Sequence, residues 1–208
     1  MDLTNNTFIF DSETEGMQYI KHLAGGKSGK TMGWYNGKDE PLDINYMFVD
    51  PATLKLGWTL WTKGQSETVW LSDPNDKVPA PTAEHKQSFS LWVYPKYVKD
   101  SQNFDHGSML WQRDSKGEFK GFQEMMKQIA QELMNPEYAT MLPVFEVKDA
   151  VSLWGGSTCM PVFEFKGFKP RPEGFVIPDL PQESGAVISP NNSPAAPDSP
   201  IVDDEIPF

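Results

Sequence analysis

Apolar side chains alternate with polar or aromatic ones along three stretches of the chain, residues 54–61, 67–71 and 87–94. A two-residue repeat is typical of a β-strand with one face on a core. The apolar set is predicted to face inward: Leu54, Leu56, Trp58, Leu60, Val69, Leu71, Phe89, Leu91 and Val93. The alternate set is predicted to face outward: Lys55, Thr59, Trp61, Lys63, Thr68, Trp70, Ser88, Ser90, Trp92 and Tyr94. We therefore expect one aromatic and basic surface.

One helix is predicted among further short strands. Ser115 and Glu118 form a capping-box pattern, and apolar residues then recur every three or four positions until Asn135-Pro136 ends the run. Residues 17–23 are interpreted as helical or irregular. The remaining strands are predicted at residues 31–35, 44–49, 108–112, 143–147 and 161–168. Together these elements predict a mainly β protein with one long helix, arranged as a small β-barrel.

Composition separates a tail from the body of the chain. Residues 178–208 hold 7 of the 18 prolines and no Lys or Arg, which is typical of a disordered segment. The whole chain of 208 residues has a formal net charge of −11. Because the body of residues 1–177 contains all 18 basic residues and 23 acids, its net charge is only −5. Basic patches on the body are compatible with that total.

The composition also narrows the candidate chemistry. Cys159 is the single cysteine, so neither an intrachain disulfide nor a zinc site with several cysteines is expected, and a reducing compartment is indicated. The start of the chain has no signal-peptide pattern, and no apolar run is long enough to span a bilayer. The histidines, at positions 22, 85 and 106, are not at metal-ligand spacing. A cytoplasmic, non-enzymatic protein without cofactor or metal is predicted.

One short motif points to nucleotide chemistry. Residues 24–31, AGGKSGKT, fit a relaxed Walker A pattern that ends in Lys30 and Thr31. A true P-loop follows a buried strand and opens a helix. Neither context is predicted here, and a P-loop nucleotidase remains a minor alternative. A flexible loop whose Lys30 touches backbone phosphate is the favoured interpretation.

The outward aromatic rings suggest a different use. Tryptophans at strand positions that normally face solvent are either covered by another layer, such as the helix or the N-terminal segment, or exposed for binding. Exposed rings can stack on unpaired bases while lysines contact phosphates, the combination typical of single-strand binding. The candidate DNA-binding residues are Lys30, Trp34, Tyr35, Lys55, Trp61, Lys63, Trp70, Lys86, Trp92, Tyr94 and Lys96.

The last residues carry a family resemblance. Residues 201–208 read IVDDEIPF and follow a Pro-rich linker of residues 178–200. This resembles the C-terminal tip of single-stranded DNA-binding proteins, with Glu205 in place of the third Asp. The resemblance implies a peptide that docks on replication and repair proteins. Its partner-binding residues would be Asp203, Asp204, Glu205, Ile206, Pro207 and Phe208.

The segment PVFEFKGFKPRP, residues 161–172, is similar to the closing strand of phage-encoded single-stranded DNA-binding proteins with an OB-type barrel. The resemblance implies an OB-like domain at residues 1–177 that binds and protects single strands during replication, recombination and repair. The main alternative is an interaction adaptor that uses the tip to capture host replication proteins. That adaptor would keep the tail but bury Trp61, Trp70 and Trp92.

Overall fold

A computed structural model describes residues 17–25, 30–63, 65–154 and 158–178, together with the backbone of Val187–Ile188. The predicted partner-binding tip, residues 203–208, lies outside the described residues. Among the described residues there are twelve strands and one α-helix. The elements are β1 Tyr19–Leu23, β2 Gly33–Asn36, β3 Pro41–Leu42, β4 Tyr46–Val49, β5 Lys55–Thr62, β6 Gln65–Leu71, β7 Lys86–Lys99, β8 Gln102–Asp105, β9 Met109–Arg113, α1 Lys116–Ile129, β10 Met141–Leu153, β11 Thr158–Pro170 and β12 Val187–Ile188.

The long strand β7 organises a sheet that curls into a half-barrel. Its first half pairs with β5 on one side and its second half pairs with β4 on the same side. β9 and β8 pair with the opposite side. A short 3-10 turn at Pro51–Thr53 separates β4 from β5. Beyond it the sheet divides, because β10 and β11 extend from β4 whereas β6 extends from β5.

One face of the sheet, here called the helix face, packs against α1. Phe89, Leu91 and Val93 are fully buried on this face, in agreement with the predicted alternation. The amphipathic spacing of α1 brings Phe122, Met125 and Ile129 into the same core. Phe122 stacks on Phe89 with ring centroids 4.3 Å apart. The prediction of a mainly β protein with one helix is confirmed.

The helix also covers the outer edge of β11. A Cβ atom added at Gly117 or Gly121 would collide with the backbone carbonyl of Cys159 or Pro161, so only glycine permits this close approach. Further along the helix, the side chain of Gln128 donates to the Phe163 carbonyl and accepts from the Phe165 amide, both at 2.9 Å. The amide group of Gln128 therefore pairs with the strand edge as a neighbouring strand would.

The start of α1 is fixed by the buried carboxylate of Glu118. Ser115 is the N-cap and accepts from the Glu118 amide, as the capping-box pattern predicts. The Glu118 carboxylate does not return to the cap amide. It is 1% exposed and accepts from the His22 amide and from the side chains of Trp111, Arg113 and Ser115. The helix ends at Ile129, six residues before the predicted end at Asn135, and a 3-10 turn at Glu132–Met134 follows.

Two further features differ from the predicted elements. Residues 17–23 do not form a helix, because Tyr19–Leu23 is a strand that pairs parallel to β9 and antiparallel to β2. Within the predicted linker, Val187–Ile188 pairs in parallel with β6. Within the residues that the structure describes, no helix is both long and apolar enough to cross a membrane.

Candidate nucleic-acid interface

The side chains predicted to point outward do share one face of the sheet. Directly opposed residues of antiparallel strands lie on the same face. The register pairs Lys55 with Ser90 and Thr59 with Lys86 between β5 and β7, and Trp61 with Ser66 between β5 and β6. This second face, opposite the helix face, therefore carries the predicted aromatic and basic set. The structure divides it into a covered end and an open end.

The covered end contains Trp92 and Tyr94, which were predicted to be exposed. That prediction is wrong: each ring is 4% exposed and belongs to a second core with Phe48. The cover is residues 171–178, here called the strap. Phe175 of the strap is 3% exposed and stacks on Tyr94 with a centroid distance of 5.5 Å. These rings cannot stack on bases while the strap is in place.

A partly buried ion pair attaches the strap to the sheet. Arg171 donates to the carboxylate of Asp50, which is 3% exposed and caps the 3-10 turn between β4 and β5. The Arg171 guanidinium also lies 4.8 Å from the centroid of Phe175, within cation–π distance. Phe175 is therefore positioned both by stacking and by the anchored Arg171 next to it.

The lysine predicted at this end is also occupied. Lys96 forms a 3.1 Å ion pair with Asp105 and lies 5.6 Å from the ring centroids of both Phe48 and Tyr94. Burial, and next the nearby Asp105, raise the pKa of Tyr94. The covered end is thus a packed second core with its charges paired.

Trp70 was likewise predicted to be exposed, and it is 8% exposed. Its ring lies against Gly57 of β5, where an added Cβ would come within 2.9 Å of the indole. Glycine thus leaves a shallow site that the large ring fills. Next to this position, the hydroxyls of Thr59 and Thr68 share a 2.8 Å hydrogen bond. Thr59, Ser88 and Ser90, which were all predicted to face outward, are buried as well, at 5%, 2% and 5% exposure.

Trp34, Tyr35 and Lys30 belong to β2 and the loop before it, two strands beyond β9. The register places Trp34 on the helix face and Tyr35 on the second face. Trp34 is 6% exposed in the helix-face core, with its ring 5.4 Å from that of Trp111. Tyr35 is 5% exposed, and its hydroxyl donates to the Thr31 carbonyl. The predicted exposure of both rings is therefore wrong. Lys30 lies 5.5 Å from the Tyr35 ring centroid and pairs with a carboxylate, as described next.

The Gly-Lys loop does not have the surroundings of a P-loop. Lys30 and Lys21 both contact Asp39, and these hydrogen bonds lower the pKa of Asp39 to about 2. Residues 26–29 lie outside the described residues. After Thr31 the chain enters strand β2, whereas a P-loop requires a helix with free amides there. This arrangement gives the nucleotidase alternative no support.

The open end follows β5 and its neighbours. Trp61 is 49% exposed, and Lys55, Lys63 and Lys86 are exposed as predicted. Lys55 and Trp61 are six residues apart on one strand, which corresponds to roughly 20 Å. Lys86 is opposite Thr59, two residues from Trp61, and Lys63 occupies the β5–β6 turn with φ 52°. An exposed indole with cationic side chains on either side is the geometry that single-strand binding uses.

Asp114 completes the open end and was not identified from the sequence. Its carboxylate accepts a 2.5 Å hydrogen bond from the indole Nε1–H of Trp61, 53 residues away. Asp114 immediately precedes the helix cap Ser115, so the Glu118 contacts at the helix start also fix its position. No local spacing connects Trp61 to Asp114. Only the pairing of β5 and β9 with β7 brings them together.

The one cysteine is next to a histidine, without features of a reactive pair. The Cys159 sulfur lies 3.2 Å from Nδ1 of His22, and both side chains are buried. Burial is the main factor that raises the Cys159 pKa to about 11, and burial also lowers the pKa of His22. A thiol with that pKa is largely protonated at neutral pH, which makes it a weak nucleophile. Within the described ranges, no group of three His, Cys, Asp or Glu residues could hold a metal ion.

Comparison of the chain with protein-family models, with curated proteins and with solved structures finds no match.

Proposed function

We propose that this chain binds single-stranded DNA without sequence preference, through the open end of the second face. The observation that carries the proposal is the half-exposed indole of Trp61, with Lys63 and Lys86 exposed near it and Lys55 exposed further along β5. A base stacked on an aromatic ring contributes about 1–3 kcal/mol whatever its identity, and lysines contact the backbone phosphates. The curled sheet with one helix is compatible with an OB-like domain.

The biological setting follows from the resemblance of residues 201–208 to the tip of single-stranded DNA-binding proteins. We propose a cytoplasmic, phage-type protein that protects single strands during replication, recombination and repair. The tip residues 203–208 would dock on replication and repair proteins, with Ile206 and Phe208 as apolar anchors and the acids meeting basic residues. No catalytic step and no cofactor are part of the proposal.

The interaction adaptor is the second candidate. The burial of Trp70 and Trp92 is what the adaptor predicts, because a protein that only recruits partners does not need stacking rings. The exposure of Trp61 favours DNA binding instead. The two candidates therefore differ in what the open end does.

A titration of a labelled thymidine oligonucleotide against the full chain tests the proposal. We expect Trp61→Ala to weaken binding roughly 5- to 150-fold, as expected for the loss of about 1–3 kcal/mol of stacking. Trp154→Ala is the matched control, because Trp154 is 60% exposed after the far end of β10 and should leave binding unchanged. Duplex of equal length should bind more weakly, and added salt should weaken both.

Three results would count against DNA binding at the open end. An unmodified chain that fails to bind the oligonucleotide would leave the adaptor as the better candidate. Equal losses in the Trp61 and Trp154 variants would remove the open end as the site. A preference for duplex would exclude base stacking as the main contribution.

A further inference from the structure

The open end contains a negative charge where the proposed ligand is an anion. Asp114 lies within hydrogen-bond distance of Trp61, the ring that the proposed function places against a base. A carboxylate beside a phosphate-binding surface reduces affinity through like-charge repulsion. A carboxylate that weakens the attraction of phosphate can support binding only through another contribution to affinity.

The structure shows what Asp114 contributes. An indole on an exposed strand position ordinarily samples several rotamers, and immobilising such a side chain costs conformational entropy on binding. The 2.5 Å bond from Nε1 to the Asp114 carboxylate fixes the ring about both of its side-chain torsions. Asp114 is itself held at the helix start, next to Ser115, whose hydroxyl donates to Glu118. The ring is therefore oriented before any ligand arrives.

The ring is attached to the sheet at two separate places. The backbone of Trp61 belongs to the β5–β6 hairpin, and its Nε1–H reaches the loop between β9 and α1. Because β7 lies between β5 and β9, the indole extends across the start of β7 on the second face. Half of its surface remains exposed in this position, at 49%. The residue thus keeps half of its accessible surface while the Nε1 edge of the ring is anchored.

We propose that Asp114 is a positioning residue for single-strand binding, which pre-orients the Trp61 indole as a stacking surface and weakens phosphate attraction in exchange. This inference rests on the proposed function. It implies that the charge and the hydrogen bond of Asp114 have opposite effects on affinity. A pair of substitutions can separate the two, because Asn and Ala remove the same charge but only Asn keeps an acceptor at the same position.

The test compares Asp114→Asn and Asp114→Ala with the unmodified full chain in the thymidine oligonucleotide titration. We expect Asp114→Asn to bind about threefold more tightly at low salt, an advantage that disappears at high salt as the lost charge is screened. We expect Asp114→Ala to bind about tenfold more weakly than Asp114→Asn at either salt concentration, because its indole must be ordered on binding. Combining both substitutions with Trp61→Phe, which has no Nε1–H, should bring the Asn-to-Ala ratio close to one.

A measurement without DNA accompanies the titration. The indole N–H resonance of Trp61, assigned by its loss in Trp61→Phe, should shift strongly in Asp114→Ala and little in Asp114→Asn. An unmodified chain that does not bind the oligonucleotide would overturn the proposed function and this inference with it. Binding that is equal in the Asn and Ala variants would overturn the inference alone. So would an Asn-to-Ala difference that persists with Trp61→Phe, because Asp114 would then act through another contact.

Discussion

The covered and open ends of the second face come from the same sequence pattern and have different environments. At one end Trp92 and Tyr94 are 4% exposed, and at the other Trp61 is 49% exposed. The strap contributes to the difference, because it places Phe175 on Tyr94 and is anchored by Arg171 on Asp50. Strand alternation thus determines which face a ring occupies. A segment more than seventy residues away determines whether that ring meets solvent.

Removing the cover should affect stability far more than removing an exposed ring. We expect Phe175→Ala to lower the free energy of unfolding by about 3–5 kcal/mol, as for other buried Phe truncations, because it leaves a cavity over Tyr94. Trp61→Ala should lower it by only about 1 kcal/mol, since half of the ring is exposed and its hydrogen bond to Asp114 is the main interaction lost. Denaturant titration measures both. Val176→Ala is the control next to Phe175, because Val176 is 67% exposed.

A small effect of Phe175→Ala, similar to that of Val176→Ala, would contradict the packed second core. It would mean that the strap contributes little to holding Trp92 and Tyr94 out of water. The covered end and the open end would then differ in exposure, but burial of the covered rings would add little to the free energy of unfolding.

Removing the anchor of the strap, the ion pair between Arg171 and Asp50, should have the next largest effect on stability. Arg171→Ala leaves the carboxylate of Asp50 buried without its charged donor, and we expect a loss of about 2 kcal/mol. The figure is below that for a fully buried pair because the Arg171 side chain is 41% exposed. The control is Asp50→Asn combined with Arg171→Ala, which removes the buried charge and should recover part of the loss. Equal stability of the single and double variants would argue against the ion pair as the anchor.

The smallest effect concerns the titration of Tyr94. Burial and then Asp105 raise its pKa above the ordinary value of 10.0, so the folded protein holds this proton more tightly than the unfolded chain. The stability that Tyr94 contributes is therefore complete below pH 10 and decreases as the pH rises towards its folded pKa. Absorbance of tyrosinate during an alkaline titration should show one late-titrating group. That group should be absent in Tyr94→Phe and should titrate earlier in Phe175→Ala.

If Tyr94→Phe leaves the late-titrating group in place, the assignment to Tyr94 is wrong. If Phe175→Ala leaves it unchanged, the strap is not what desolvates the Tyr94 hydroxyl.

Much of the fold could be predicted from local pattern. The alternation around Phe89 and Val93 identified strand β7 and its buried side, and Ser115 with Glu118 marked the start of the helix. Strand β1 was missed because its five residues, YIKHL, are too short to show a clear repeat. The helix end was overestimated because apolar spacing continues through Leu133, although that side chain is 38% exposed.

The candidate site could be predicted only in part, for a physical reason. Trp61, Lys55, Lys63 and Lys86 were identified because they remain exposed where the predicted alternation places them. Exposure of Trp92 and Trp70 depends instead on what lies above them, and no two-residue repeat contains that information. The hydrogen bond between Trp61 and Asp114 required the register of three strands, which a single sequence does not reveal.

The contact between α1 and the edge of β11 has a consequence for the folding of the chain. Until the helix is in place, a strand of 13 residues presents unpaired amides and carbonyls, which any other extended chain could pair with. Pro161 removes one of the donors of the strand. The docked helix then covers this edge. It approaches the strand closely at Gly117 and Gly121 and pairs with it through the side-chain amide of Gln128. We therefore expect a folding chain whose β10–β11 hairpin has formed before the helix docks to be the species most prone to aggregate.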